Sequence, residues 1–217
     1  MGELVLVRHA QASFGTSDYD RLSPLGLQQS DWLGCYFRDH GLQFDRVIRG
    51  TLRRHRETLN GISSRHVLCA SEIDPRLDEF HYEGLEKQYL RETGADAPSE
   101  RAQFLSVFPE VFTRWELGQI DGGGETYLTF RDRISAAITD ATALDQTVLI
   151  VTSGGVIGTL IRNVLGLDAY TTAELLLNIH NASVHRLVWE GGKLRLSLFN
   201  ASPHLDPEDR AHARTYI

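Results

Sequence analysis

At about 150 residues per domain, the 217 residues of this chain favour one domain, and 41% hydrophobic with 24% charged content excludes the disordered and membrane-embedded classes. Lys and Arg number 22 against 29 Asp and Glu, a formal net charge of −7 that weighs against nucleic acid and anionic membrane as partners. No apolar run approaches the roughly 18 residues of a spanning helix, and the first residues show no signal pattern. Cys35 and Cys69 lie in no CxxC or metal-type cluster, so a reducing cytoplasm is the expected setting, with both thiols buried as small hydrophobes.

In chain order, Leu4–Val7 reads as a buried strand. Ser23-Pro24 caps a helix whose face is Leu33, Tyr36 and Phe37 and which Gly41 can stop. Val47–Ile48 is a second strand, Leu52–Ile62 a helix and Val67–Ala70 a third strand. From Leu85 to Gln119 the pattern is helical with no strand signal. Phe104, Leu105, Phe108, Val111, Phe112 and Trp115 recur there at three- and four-residue spacing, an aromatic stripe that predicts core rather than a ligand box. The flexible Asp121-Gly122-Gly123-Gly124 closes this stretch. Tyr127–Leu144 and Val156–Leu165 are helices on either side of a strand at Val148–Val151. Val184–Trp189 and Leu194–Phe199, split by Glu-Gly-Gly-Lys, form a hairpin. The alternation predicts an α/β three-layer sandwich with a mostly parallel central sheet, one domain over residues 1–217, and a helical insert of about 85–120 over one end of the sheet.

Four blocks can carry chemistry. Arg8-His9 follows the first strand, at the carboxyl edge where open α/β sheets bind ligands, and an arginine fork beside a neutral imidazole suits a phosphoryl group. Arg46, Arg49, Arg53, Arg54, His55 and Arg56 concentrate positive charge after a strand and at the start of a helix, which predicts an anion site. Leu77-Asp78-Glu79-Phe80-His81-Tyr82-Glu83-Gly84 offers a general acid. Glu79, His81 and Glu83 alternate as metal ligands would, yet they lack the helical His-x-x-x-His spacing. Val148 to Val151 runs into Thr152-Ser153-Gly154-Gly155, whose backbone N–H groups would face the sheet edge. Val151 stands where a serine-hydrolase elbow needs glycine, which argues against Ser153 as nucleophile.

Together these residues resemble the histidine phosphatase (phosphoglycerate mutase-like) superfamily. Its Arg-His-Gly is similar to Arg8-His9-Ala10. Its Ser-Pro-Leu-x-Arg-Ala-x-x-Thr resembles Gly50 to Thr58, with Arg54 at the arginine. Its acid-bearing block resembles Leu77 to Gly84 with Glu79 at the acid, and its Gly-Glu-Ser/Thr resembles Gly124-Glu125-Thr126. Its strand and His-Gly-Gly resemble Thr152 to Gly155, and the tail of its phosphatase branch resembles Asn200 to Leu205. The blocks keep family order across nearly the whole chain. Ala10 stands for the usual glycine, and Ser153 for the second active-site histidine.

The resemblance implies a metal-independent phosphomonoester hydrolase of the histidine acid type, with no cofactor and a small phosphorylated substrate as partner. His9 would attack phosphorus and form phosphohistidine, and Arg8 and Arg54 would neutralise the non-bridging oxygens. Glu79 would protonate the leaving oxygen and then activate water. Gly154, His81 and Ser153 would line the phosphate or substrate side, with Ser153 giving one neutral hydrogen bond where the family has a histidine. Arg53, Arg56, His180 and His204 are further candidates near the site. A phosphoglycerate mutase is one alternative. A catalytically weak phosphate-ester binding or regulatory protein, suggested by Ser153, is another.

Overall fold

The computed structural model describes residues 2–13 and 20–216. Six strands, β1 (Gly2–Arg8), β2 (Arg46–Arg49), β3 (Ser71–Ile73), β4 (Thr147–Thr152), β5 (Val184–Glu190) and β6 (Lys193–Ala201), form a sheet in the order β3-β2-β4-β1-β5-β6. β1 to β4 run parallel, β5 lies antiparallel to β1, and β6 antiparallel to β5. The helices are α1 (Pro24–Asp39), α2 (Arg53–Arg65), α3 (Tyr82–Thr93), α4 (Arg101–Glu116), α5 (Tyr127–Ala141), α6 (Gly154–Leu165) and α7 (Ala169–Leu177).

Both faces of the sheet are apolar because helices cover both. Leu4, Leu6, Val148 and Ile150 point into one core with Phe112, Phe130, Ile134 and Ile157. The alternate residues Val5, Val7, Leu149 and Val151 point into a second core with Leu33, Phe37, Leu59 and Ile62 of α1 and α2. Helices on both sides of a mixed sheet make the three-layer α/β architecture that the alternation predicts.

Local signals hold at several element ends. Ser23 Oγ accepts the Gly26 N–H at 3.0 Å and caps α1. Gly191 and Gly192 supply the two positive φ angles, 58° and 78°, of the β5–β6 turn.

Other expectations need correction. The third strand is Ser71–Ile73 rather than Val67–Ala70: Val67 is 91% exposed, and β3 is an edge strand held by backbone pairing to β2, not by side-chain burial. The insert is two helices that begin at Tyr82. The Asp121–Gly124 loop is pinned, since the Asp121 and Gly122 N–H groups both donate to Gln88 Oε1 at 3.0 and 2.8 Å. Cys69 is exposed and Cys35 only half-buried. Among the described residues, no helix is long and apolar enough to cross a membrane.

Candidate active site

The parallel register brings the carboxyl ends of β1, β2 and β4 to one edge, with Arg8 opposite Thr152 and Arg49 opposite Val151. His9 extends the ladder by one bond, its N–H donating to the Thr152 carbonyl at 2.8 Å. Its own carbonyl accepts the N–H of Ala182 at 3.3 Å, a residue held at φ 56° in the left-handed region. The backbone of His9 is therefore fixed from two sides. Its ring Nδ1–H donates to the Ala10 carbonyl at 2.8 Å, so the lone pair resides on Nε2. Burial, then the guanidinium groups of Arg54 and Arg8, hold the imidazole well below the ordinary histidine value. A neutral ring with a fixed tautomer is the form that can attack an electrophile.

Two arginines flank it. Arg8 donates to the Ile179 carbonyl, and Arg54 Nη1 donates to Asp20 Oδ1 at 2.7 Å. Asp20 Oδ2 also accepts the Arg53 N–H at 2.8 Å, so this carboxylate holds the start of α2. Thr58 Oγ1 joins the strand end to the helix, accepting the Ala10 N–H at 3.0 Å and donating to the Arg54 carbonyl at 2.7 Å.

Glu79 reaches the same place from the segment before α3. Thr152 Oγ1 donates to the Leu77 carbonyl at 2.6 Å and ties that segment to β4. Glu79 Oε2 accepts the Gly155 N–H at 3.0 Å, and Oε1 the Phe80 N–H at 3.2 Å. Only glycine fits at 155, because a Cβ there would lie 2.1 Å from Glu79 Oε1 and 2.5 Å from the Phe80 ring. Burial pushes the Glu79 carboxyl above its ordinary value, against the Gly155 N–H and the charges of Arg54 and Arg8, which favour the anion. A carboxyl whose protonated form is favoured by burial, beside a neutral imidazole, can serve as an acid.

These groups share one cavity of about 520 Å³. Arg8, His9, Arg54, Glu79, His81, Gly154 and Gly155 lie in its wall, as does Glu83. The remaining wall is Leu52, Phe80, Tyr82, Phe104, Phe108 and Leu176. The aromatic stripe of α4 thus divides: Val111, Phe112 and Trp115 are core, whereas Phe104 and Phe108 also face the cavity.

The basic run disperses, and only Arg54 and Leu52 of that segment reach the cavity. Arg46 pairs with Glu72 at 2.8 Å, Arg53 with Glu57 at 2.5 Å, and Arg56 is exposed. His180 stacks on Tyr216, centroids 5.6 Å apart, and His204 is buried, its pKa pushed down to about 3; neither is in the wall. Ser153 has no solvent exposure and is not in the wall; its Oγ lies 2.7 Å from His55 Nε2. Among the described residues, no three His, Cys, Asp or Glu side chains gather as a metal site, and Glu83 turns instead to Lys87 at 2.5 Å.

Asp20 and Leu176 escape the sequence reading of the site, and His55 enters it only as one member of the basic run. The N-cap of α7 was a usable signal for Leu176, since Asp168 accepts the Thr171 N–H at 2.7 Å.

A model of the histidine phosphatase superfamily (branch 1) matches residues 4–202. A probable phosphoglycerate mutase, GpmB, of Citrobacter koseri is 28% identical over 202 residues, 88% of this chain and 86% of that one. Among solved structures, the phosphoserine phosphatase of Entamoeba histolytica in complex with 3-phosphoglyceric acid superposes with a TM-score of 0.70 at 19% identity, covering 94% of this chain and all (100%) of that one. Mycobacterial glucosyl-3-phosphoglycerate phosphatase with inorganic phosphate does so at 0.68 and 23%, covering 95% and 100%. At these identities the two structures bear on the fold alone.

Proposed function

The chain belongs to the histidine phosphatase superfamily, and on that premise we propose that it is a single-domain phosphomonoester hydrolase working through phosphohistidine on His9. The observation that carries this reading is the His9 ring itself: Nδ1–H is committed to the Ala10 carbonyl, leaving Nε2 unprotonated in a cavity that also holds Arg8, Arg54 and Glu79.

In the first step the Nε2 lone pair forms a bond to phosphorus while the P–O bond to the leaving alcohol breaks. That alcohol takes the Glu79 proton. In the second, the Glu79 carboxylate takes a proton from water as the water oxygen bonds to phosphorus and the P–N bond breaks, which returns Nε2 its lone pair. Because the transition state is loose, the protein's task is to hold the groups in line and neutralise the equatorial oxygens, the part assigned to Arg8 and Arg54. Arg54 would exchange its Asp20 partner for the phosphoryl group. No metal enters, since two guanidinium groups bring the charge.

The apolar wall supports a leaving group that is aromatic or aliphatic and uncharged. A second anionic group, as in 3-phosphoglycerate, would need its own cation. Among the described lining residues, Arg8 and Arg54 are the only Lys or Arg side chains, and both serve the phosphoryl end. Hydrolysis therefore fits this cavity better than the mutase reaction named for the curated relative.

The test uses esters labelled in the phosphoryl group. Quenched wild-type protein is expected to carry acid-labile, base-stable label on His9, and His9→Ala to carry none and to lose nearly all turnover with its melting temperature retained. A tenth of wild-type turnover surviving in His9→Ala would sink the phosphohistidine reading. Conversion of 3-phosphoglycerate to its isomer without phosphate release would put the mutase in its place.

A further inference from the structure

Directly behind the nucleophile lies a buried histidine that the chemistry above does not use. The His55 ring has no solvent exposure and sits 5.8 Å from the His9 ring, centroid to centroid. Its Nε2 meets Ser153 Oγ at 2.7 Å, and its Nδ1 faces Asp78 Oδ1 at 3.7 Å. Asp78 is itself fixed, accepting the Thr51 N–H at 2.7 Å and the Thr51 hydroxyl. Carboxylate, imidazole and hydroxyl therefore stand in a row, and the row ends at the residue before Gly154 and Gly155, which form the cavity wall at the start of α6.

The space for this row is cut into the sequence. A Cβ on residue 50 would lie 2.3 Å from His55 Nδ1 and 2.4 Å from Asp78 Oδ1, so Gly50 is what admits both groups. Three departures from the motifs thus fall on one spot. Gly50 stands where the resemblance expects serine, His55 where it expects alanine, and Ser153 where it expects histidine. A histidine is absent from one side of the contact and present on the other.

We infer that His55, backed by Asp78 and joined to Ser153, is a positioning residue for phosphoryl transfer, the pair taking over the place of the single histidine expected at 153. The hydrogen-bond bookkeeping allows this. The Nδ1 side, which faces the Asp78 carboxylate, carries the proton of the neutral ring, so Nε2 accepts the Ser153 hydroxyl proton and fixes the residue that leads into the Gly154–Gly155 wall at the start of α6. Burial and the charges of Arg54 and Arg49 keep the ring neutral. By the same packing, Ser153→His alone would put a new imidazole on the space His55 fills.

This inference rests on the phosphatase reading, so its experiment has an arm that needs no hydrolysis. His55→Ala, Ser153→Ala, Ser153→His and the exchange His55→Ala with Ser153→His are compared for melting temperature, kcat and KM on an aryl phosphate, and vanadate affinity. We expect His55→Ala and Ser153→Ala each to lower kcat about 10- to 100-fold with KM changed less than threefold, and their combination to be no worse than either, since both break one chain. Ser153→His alone should be at least as impaired as Ser153→Ala. The exchange should recover most of the kcat and the vanadate affinity, which a purely structural histidine would not give. A folded exchange variant no better than His55→Ala, or a His55→Ala protein with wild-type kcat and vanadate affinity, overturns the inference. Label found on Ser153 as base-labile phosphoserine would overturn both it and the phosphohistidine reading. If the wild type hydrolyses nothing, the phosphatase reading fails by itself, and the vanadate arm alone decides the place of His55.

Discussion

The charged end of the cavity hangs from the sheet, whereas its apolar end is made by helices laid over that edge. His9 is one hydrogen bond beyond the β1–β4 ladder, Arg54 is tied to the same strand end through Thr58, and Glu79 is held by the Gly155 N–H in the first turn of α6. Backbone pairing fixes His9, and hydrogen bonds to backbone groups hold the other two, so small shifts are resisted by several bonds at once. Phe104, Phe108, Tyr82 and Leu176 come from α3, α4 and α7, which meet the rest through side-chain packing. Tyr82 stacks on Phe108 with centroids 5.0 Å apart and meets Phe104 edge-on at 5.5 Å. On the proposed function, chemistry sits at the sheet edge and choice of leaving group in the helices over it, where substitutions cost the catalytic geometry little.

If that division is real, substitutions at the sheet edge should act on kcat or anion affinity, and those in the insert on KM. The largest effect expected after His9 is at Glu79. Glu79→Gln keeps the shape and removes the proton, and should lower kcat on an alkyl phosphate about 10²- to 10³-fold. On p-nitrophenyl phosphate, whose leaving group needs little help, the loss should be tenfold or less. The sign of the pH effect follows from burial: the raised carboxyl value keeps the acid form present above the ordinary carboxylate range, and the rate of ester cleavage falls as pH rises through it. Glu79→Gln should flatten that limb. An unchanged pH profile, or equal losses on the two esters, would take Glu79 out of the acid role.

Arg54→Ala comes next. Loss of one charge-assisted contact to an oxyanion should weaken vanadate or phosphate binding by about 2 kcal/mol, close to 30-fold. Asp20 sharpens the comparison, because its carboxylate pairs with Arg54 at 2.7 Å. Asp20→Asn therefore removes a competitor of the anion as well as a support of α2. Unchanged vanadate affinity in Arg54→Ala would remove this arginine from the phosphoryl site.

How much of this was legible follows the same line. Leu4–Val7 announces a buried strand and Arg8-His9 ends it abruptly, so the pattern alone marks the sheet edge that carries the proposed nucleophile. The pattern Ser-Gly-Gly after Val148–Val151 reveals the second strand end. What escaped depends on contacts between distant positions. Arg54 and Asp20 are 34 residues apart, and His55 and Ser153 are 98 apart. In the sequence His55 is one more basic residue in a cationic run, and only its burial separates it from exposed Arg56. Val67 and Leu68 suggested a strand because apolar pairs usually mean burial, but β3 is a backbone-paired edge with all three residues exposed. The spacing of Phe104 to Trp115 tells which face of α4 is apolar. It does not tell where along that face the core ends and the cavity begins, because a ring packs equally well against a neighbour or a ligand.

Phe104 is where that boundary can be tested, with the smallest expected effect. It is half-buried, in the cavity wall, and 5.6 Å from Phe108 centroid to centroid, so its truncation opens the wall without emptying the main core. An aromatic contact to a bound aryl group contributes about 1 kcal/mol, which is roughly fivefold in affinity. Phe104→Ala should therefore raise KM for naphthyl phosphate about fivefold, with kcat within twofold, since its ring packs on Tyr82 and Phe108 of the helices. For a phosphate ester with a small polar alcohol the same substitution should change KM less than twofold, because such a leaving group does not reach the insert. Phe104→Leu should restore part of the affinity through apolar area alone. If Phe104→Ala instead lowers kcat equally on both esters, the insert takes part in holding the phosphoryl end, and the division between chemistry in the sheet and choice in the helices does not hold.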